Sequence, residues 1–259
     1  MPKALLKAAK VVKVEQRKGL SSILRSRNLK HHVVVNGKKC AYSERNYTTS
    51  CKTMGSHGIR LISGKFRQLL ERQDKESGNY RIAAFDLDDT IVQTKTGSRF
   101  SRSSTDWKFK YPSLQDRLSD FSATEDNSTI PIVAIFTNQG GVTNKEGAKS
   151  LSNLIDRLNR ILEALPSSLP IVFYGATKKA KNDTFQVSDD VVHSWFRKPN
   201  VGMFEQLIRD LEIDKAKIDY KESFYCGDAA GRKGDFSDSD LQFAKNIEFK
   251  FFTPEEYFE

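Results

Sequence analysis

Asp86 and Asp88 stand two residues apart, directly after the apolar run Ile82-Ala83-Ala84-Phe85. Paired carboxyls leaving a buried strand suit phosphoryl transfer through an aspartyl intermediate. One carboxylate attacks phosphorus, and Asp86 is first out of the strand. The second, Asp88, protonates the leaving oxygen and then deprotonates the water that hydrolyses the intermediate. A hard divalent cation must shield carboxylate from phosphate, and Mg²⁺ prefers a few carboxylates with waters. Asp86 and Asp228 offer side-chain oxygens for it, and Asp88 a backbone carbonyl. A hydroxyl and a cation must hold the transferring oxygens as charge redistributes, which suits Thr137 and Lys198.

Taken singly, each fragment has a plainer reading. Asp86-Leu87-Asp88-Asp89-Thr90 alone reads as a turn with a helix cap. Thr137-Asn138-Gln139-Gly140 is an ordinary strand exit, Lys198 before Pro199 a solvated lysine, and Asp228 after Gly227 a turn residue. What carries weight is the ordered set, with each member at a strand end or before a helix.

Those elements are legible as apolar patterns. Ile82 to Phe85, Ile132 to Phe136, Ile171 to Tyr174 and Phe224 to Cys226 are short apolar runs. Runs of this kind mark strands buried on both faces. Leu151, Leu154, Ile155, Leu158, Ile161, Leu162 and Leu165 follow a helical stripe that Pro166 ends. Met203, Phe204, Leu207, Ile208 and Leu211 repeat it, and Ser237 with Asp240 resembles a capping box for a last helix through Ala244. Alternating strands and helices predict an α/β fold: a parallel sheet with helices on both faces and ligands at the carboxyl ends of its strands.

The motifs resemble those of the haloacid dehalogenase-like (HAD) phosphatase superfamily: Phe85-Asp86-Leu87-Asp88-Asp89-Thr90, Thr137, Lys198 and Gly227-Asp228. Further strings resemble the polynucleotide 3′-phosphatases, both stand-alone and joined to a kinase. These are Asp106-Trp107 with Tyr111-Pro112, Phe136 to Gly140, and Arg197-Lys198-Pro199 with Gly202-Met203. Cys226 to Arg232 with Asp235-Phe236-Ser237 and the ending Pro254-Glu255-Glu256 complete them. The similarity covers about residues 80–259.

That resemblance implies a Rossmann-like HAD fold with a small cap or none. It also implies a Mg²⁺-dependent enzyme that removes 3′-phosphates from DNA strand breaks during repair. Asp86 would be nucleophile and metal ligand, Asp88 acid/base, Asp228 metal ligand, and Thr137 and Lys198 phosphate contacts. Thr90, Asn138, Arg197 and Arg232 are the expected substrate contacts. The family usually carries Gly where this chain has Asp89. Expected partners are DNA with 3′-phosphate ends and other strand-break repair proteins, with no membrane, for a monomeric chain in the nucleus. A phosphatase of the same superfamily acting on sugar or histidinol phosphates is the alternative.

A kinase P-loop needs G-x-x-x-x-G-K-[ST]. The nearest string, Gly58 to Gly64-Lys65, has one residue too many between its glycines and Phe66 in place of the hydroxyl. The expectation is a phosphatase without kinase activity.

Charge divides the chain. Residues 1–79 hold 18 Lys and Arg against 5 Asp and Glu, a net of +13, whereas residues 80–259 sum to −4. The first segment reads as a basic arm, largely disordered, with a short basic amphipathic helix from Lys3 to Lys13 and another short helix within Ile59 to Glu71. It would serve as a nucleic-acid-binding arm or a targeting peptide, which keeps the mitochondrion as the rival location. No run approaches the ~18 apolar residues of a membrane span, and no secretory signal is expected.

Cys40, Cys51 and Cys226 fit a reducing compartment. His32, Cys40, Cys51 and His57 lack the close cysteine pair of structural zinc. Cys226 reads as a buried strand residue, His193 and Trp195 as loop packing. Lys178-Lys179-Ala180-Lys181 reads as a solvated loop or a contact for a DNA backbone.

Overall fold

The computed structural model describes residues 50–72, 78–123, 129–180 and 188–259, all within one unit that runs from Glu44 to Glu259. Four parallel strands carry the pattern read from the sequence: β3 (Asn79–Phe85), β6 (Thr129–Thr143), β7 (Ile171–Lys178) and β8 (Phe224–Cys226). With β1 (Ser50–Met54), β2 (Gly58–Ile62) and β9 (Lys250–Phe252) they form one sheet ordered β1-β2-β7-β6-β3-β8-β9. The chain runs from β3 outward through β6 to β7, then returns to β8 on the other side of β3. This reversal makes the carboxyl end of β3, where Asp86 emerges, the natural ligand crevice.

Alternation along the strands divides the core into two layers. Ile82, Ala84, Ile132 and Ala134 face α1 (Gly64–Leu70), α5 (Gly202–Leu211) and α6 (Ser239–Asn246). Ala83, Phe85, Val133 and Ile135 face α2 (Leu114–Ser122) and α3 (Lys149–Ala164). Side chains two apart on a strand share a face, so one apolar run serves both layers. The predicted α/β sheet with helices on both faces is therefore present. Between β3 and α2 the chain inserts only a two-stranded ribbon, β4 (Val92–Gln93) with β5 (Lys108–Phe109).

Three expectations are corrected. The folded body begins before Tyr80: β2 pairs antiparallel with β7, β1 with β2, and Ile59, Leu61, Ile62, Phe66 and Leu69 are buried. An arm ending at residue 79 therefore overreaches. The edge strand Ser50-Cys51-Lys52-Thr53-Met54 has no apolar alternation to betray it, and the helix expected within Ile59 to Glu71 is half strand, with only Gly64–Leu70 helical. Second, β6 does not stop at Phe136. It continues to Thr143 through an irregularity after Gln139, because Thr137, Asn138 and Gln139 still pair with Gly175, Ala176 and Thr177. Third, Ser237 and Asp240 form no capping box; Asp238 caps α6 without a side-chain bond, and Asp240 turns inward. The helix expected from Lys3 to Lys13, together with His32, Cys40 and Lys181, lies outside the described residues.

Candidate active site

The ends of β3, β6 and β8 meet α4 (Asp190–Phe196) and α6 around one buried lysine. Lys198 Nζ donates to Asp86 Oδ1 at 2.6 Å, to Asp240 Oδ1 at 2.7 Å and to the Tyr225 hydroxyl at 2.8 Å. An ammonium has three protons, and these three acceptors match them. The Tyr225 hydroxyl in turn donates to Asp240 Oδ1 at 3.0 Å. Asp240 Oδ2 accepts from the Ala229 backbone N–H at 3.0 Å, so every oxygen of this buried carboxylate is engaged. Gly227 permits the arrangement: a Cβ there would lie 2.5 Å from the Asp240 carboxyl carbon.

Lys198 is itself held by its backbone. Asn138 accepts from the Lys198 N–H and donates to the Lys198 carbonyl, both at 3.0 Å. Asn138, expected to touch substrate, thus serves here as a two-point clamp between β6 and the lysine loop.

The carboxylates crowd one another. Ligand oxygens of Asp86, Asp228 and Asp240 lie within 4.8 Å. Burial raises the Asp86 carboxyl well above its ordinary range, and Asp240 and Asp228 add to the shift against the pull of Lys198. Burial, then Asp240 and Asp89, push Asp228 up to about 6. Burial works against the charge of Lys198, but Asp240 and Asp86 outweigh it and raise its pKa. Such a cluster gains from a divalent cation, which relieves the repulsion between carboxylates. Asp240 is already saturated by Lys198, Tyr225 and Ala229, so Asp86 and Asp228 are the side chains left to hold an ion.

Asp88 faces the other side of the crevice. Arg157, on the buried stripe of α3, binds both its oxygens, and Gln139 Nε2 donates to Asp88 Oδ2 and to Thr137 Oγ1, each at 2.8 Å. Thr90 is buried with its hydroxyl 3.5 Å from Asp228 Oδ1. Asp89 sits at φ +58°, a left-handed conformation that Asp tolerates better than most residues.

The two arginines expected at the substrate are placed differently. Arg197 is exposed and its guanidinium overlies Gly140. Arg232 is committed to Asp235 at 3.0 Å and Glu255 at 3.1 Å, tying the loop after β8 to the last helix, α7 (Pro254–Phe258). Cys226 is buried, its thiol pushed upward by desolvation, which fits a strand residue and not a nucleophile. His193 and Trp195 lie on α4, not in a loop. His57 Nδ1 lies 2.8 Å from Ser188 Oγ, and its ring packs edge-on against Phe196.

The sequence profile described as polynucleotide kinase 3 phosphatase matches residues 81–258. This chain belongs to that family. Among relatives, the bifunctional polynucleotide phosphatase/kinase of Schizosaccharomyces pombe is 37% identical over 178 residues, covering 69% of this chain and 37% of that protein. The polynucleotide 3′-phosphatase of Saccharomyces cerevisiae is 34% identical over 216 residues, covering 71% of this chain and 90% of that one. The polynucleotide 3′-phosphatase ZDP of Arabidopsis thaliana is 35% identical over 192 residues, covering 73% and 25%.

Membership in the family does not by itself name every residue at the crevice. The sequence places Gln139 and Asp240 among the polar residues after the strands without a role, and gives Tyr225 and Arg157 no place at the site. Asp240 was legible only as an acid near the start of a helix, and Tyr225 as one apolar residue of a strand. Arg157 carried the strongest missed signal, a charge inside the leucine stripe of α3.

Proposed function

We propose that this chain is a DNA 3′-phosphatase that works through a phospho-aspartyl intermediate. The observation that carries the reading is the buried Asp86–Lys198–Asp240 chain of contacts beside Asp228, at the carboxyl ends of β3 and β8. Asp86 Oδ attacks phosphorus, the bond from phosphorus to the DNA 3′-oxygen breaks, and Asp88 gives that oxygen its proton. Water then attacks the phospho-aspartate and gives a proton to Asp88. The bond to Asp86 breaks, and inorganic phosphate leaves. Lys198 and Thr137 hold the phosphoryl oxygens as charge shifts among them.

Asp86 and Asp228, with the Asp88 backbone carbonyl, would hold Mg²⁺. When bound, the ion neutralises the repulsion between carboxylate and phosphate. Thr90 and Arg197 are proposed substrate contacts. Arg232 would act at one remove, by fixing the loop that carries Asp228.

A polynucleotide substrate is supported by the relatives' activities and by the rim. Phe100 and Phe236 are 73% and 78% exposed, and the Arg99 guanidinium lies 4.1 Å from the Phe236 ring centre. Exposed aromatics beside arginine are what bases and a phosphate backbone recognise. The cellular setting that follows is strand-break repair in the nucleus. The 259 residues hold no P-loop string, so no kinase activity is proposed for them.

Turnover of a 3′-phosphorylated oligonucleotide beside a sugar phosphate, with an Asp86→Asn control, tests the reading. Release of phosphate from the oligonucleotide alone, lost in the variant, supports it. Preference for the sugar phosphate, or full activity in Asp86→Asn, overturns it.

A further inference from the structure

Asp88 is gripped from two sides. Arg157 Nη1 donates to Oδ1 at 2.9 Å and Nη2 reaches Oδ2 at 3.4 Å, while Gln139 Nε2 donates to Oδ2 at 2.8 Å. The Arg157 side chain is 6% exposed, on the same helix stripe as Leu154, Leu158 and Ile161. Packing alone would place an apolar residue there, because a guanidinium taken out of water is costly unless it is paired. Its partner among the described contacts is Asp88, a residue 69 positions away in sequence.

Both groups that grip Asp88 are donors. A carboxyl that has given up its proton offers only acceptors, and two donors match that form. Gln139 also donates to Thr137 Oγ1, so the amide links the phosphate-holding hydroxyl to the carboxylate.

We propose that Arg157 is a positioning residue for the second half of the reaction. With Gln139, it orients the Asp88 carboxylate to receive the proton of the attacking water. This rests on the phosphatase reading above. In that step the water oxygen bonds to phosphorus and its proton passes to Asp88. The bond from phosphorus to Asp86 then breaks, its electron pair returning to the Asp86 carboxylate. No further reactant is needed.

The test uses the full chain with Mg²⁺ and two probes, a 3′-phosphorylated oligonucleotide and p-nitrophenyl phosphate, whose leaving group departs without a proton. In Arg157→Ala the nitrophenol burst should persist while steady-state turnover falls at least ~10-fold, a part of the ~10²–10⁴-fold that acid–base catalysis supplies. Acid quenching should trap more phospho-enzyme than in the parent on either probe, and Arg157→Lys should recover part of the rate. Arg157→Met, which fills the stripe with an apolar chain, keeps the test open if Ala does not fold. Turnover within twofold of the parent, or a loss of burst and turnover together in a folded variant, overturns the proposal while the phosphatase reading stands. A parent that forms no phospho-enzyme and releases no phosphate sinks both.

Discussion

The Asp240 carboxylate accepts a 2.7 Å hydrogen bond from Lys198 Nζ, and both side chains are only 2% exposed. Asp240 is the fixed end of this chain of contacts, since its remaining bonds go to Tyr225 and to the Ala229 backbone. Lys198 therefore reaches Asp86 from a stationary anchor.

Asp240→Asn should lower both stability and turnover. It removes one of the two charges that offset a buried ammonium, a change on the order of 3 kcal/mol. Turnover should fall more than substrate affinity, because Lys198 loses its aim at Asp86. Thermal melts and steady-state kinetics on a 3′-phosphorylated oligonucleotide check this; unchanged kcat would contradict the anchoring role.

EDTA should abolish activity and Mg²⁺ restore it, since phosphate and Asp86 otherwise repel each other. Asp228→Ala should raise the Mg²⁺ needed for half-maximal rate by ~10-fold or more, or remove activity altogether. Undiminished turnover in metal-free buffer would rule out the ion.

Two truncations should behave differently. Residues 1–49 carry 12 Lys and Arg against 2 Asp and Glu, so removing them should weaken binding to long DNA at low salt and flatten its salt dependence. On a short oligonucleotide kcat should stay nearly intact. Removing residues 1–75 also deletes buried Ile59, Leu61, Ile62, Phe66 and Leu69. At ~1.5–3 kcal/mol each, that loss is comparable to the whole ~5–15 kcal/mol of a domain's stability. Circular dichroism should show the longer truncation unfolded; a folded, active product would place β1, β2 and α1 outside what the fold requires.

The contribution of His57 to stability should decline as the medium is acidified, opposing that of Asp228, whose raised pKa favours the folded chain as pH falls below about 6. His57 packs against Phe196 in the turn between β1 and β2, and burial lowers its pKa from 6.5 to about 4, with His193 adding to the shift. The unfolded chain then binds a proton that the folded chain refuses. Its contribution, up to about 3 kcal/mol, is present above pH 6.5 and is lost as pH falls towards 4. Urea melts of the parent and of His57→Phe between pH ~4 and ~7.5 should differ by this contribution, the parent losing more stability, or gaining less, on acidification. An identical slope in the variant would assign the effect to other groups.

The sequence alone determined the polar residues that follow each apolar run. Asp86, Asp88, Thr137, Lys198 and Asp228 were legible because strand and helix periodicity is local, and the chemistry of each type is its own. It also determined the parallel sheet, since runs buried on both faces alternate with helical stripes. The tertiary structure decided which groups meet. Lys198 finds Asp86 across 112 residues and Asp240 across 42, distances closed only by the order of strands in the sheet. Asp240 could not be told from a helix-capping acid until β8 and α6 packed with Gly227 between them. Arg157 stood out as a charge inside the leucine stripe, but its partner was hidden until α3 laid that stripe beside Asp88. Residues 50–62 joined the sheet because β7 had an open edge to pair, a fact carried by β7's position and by no pattern within the segment itself.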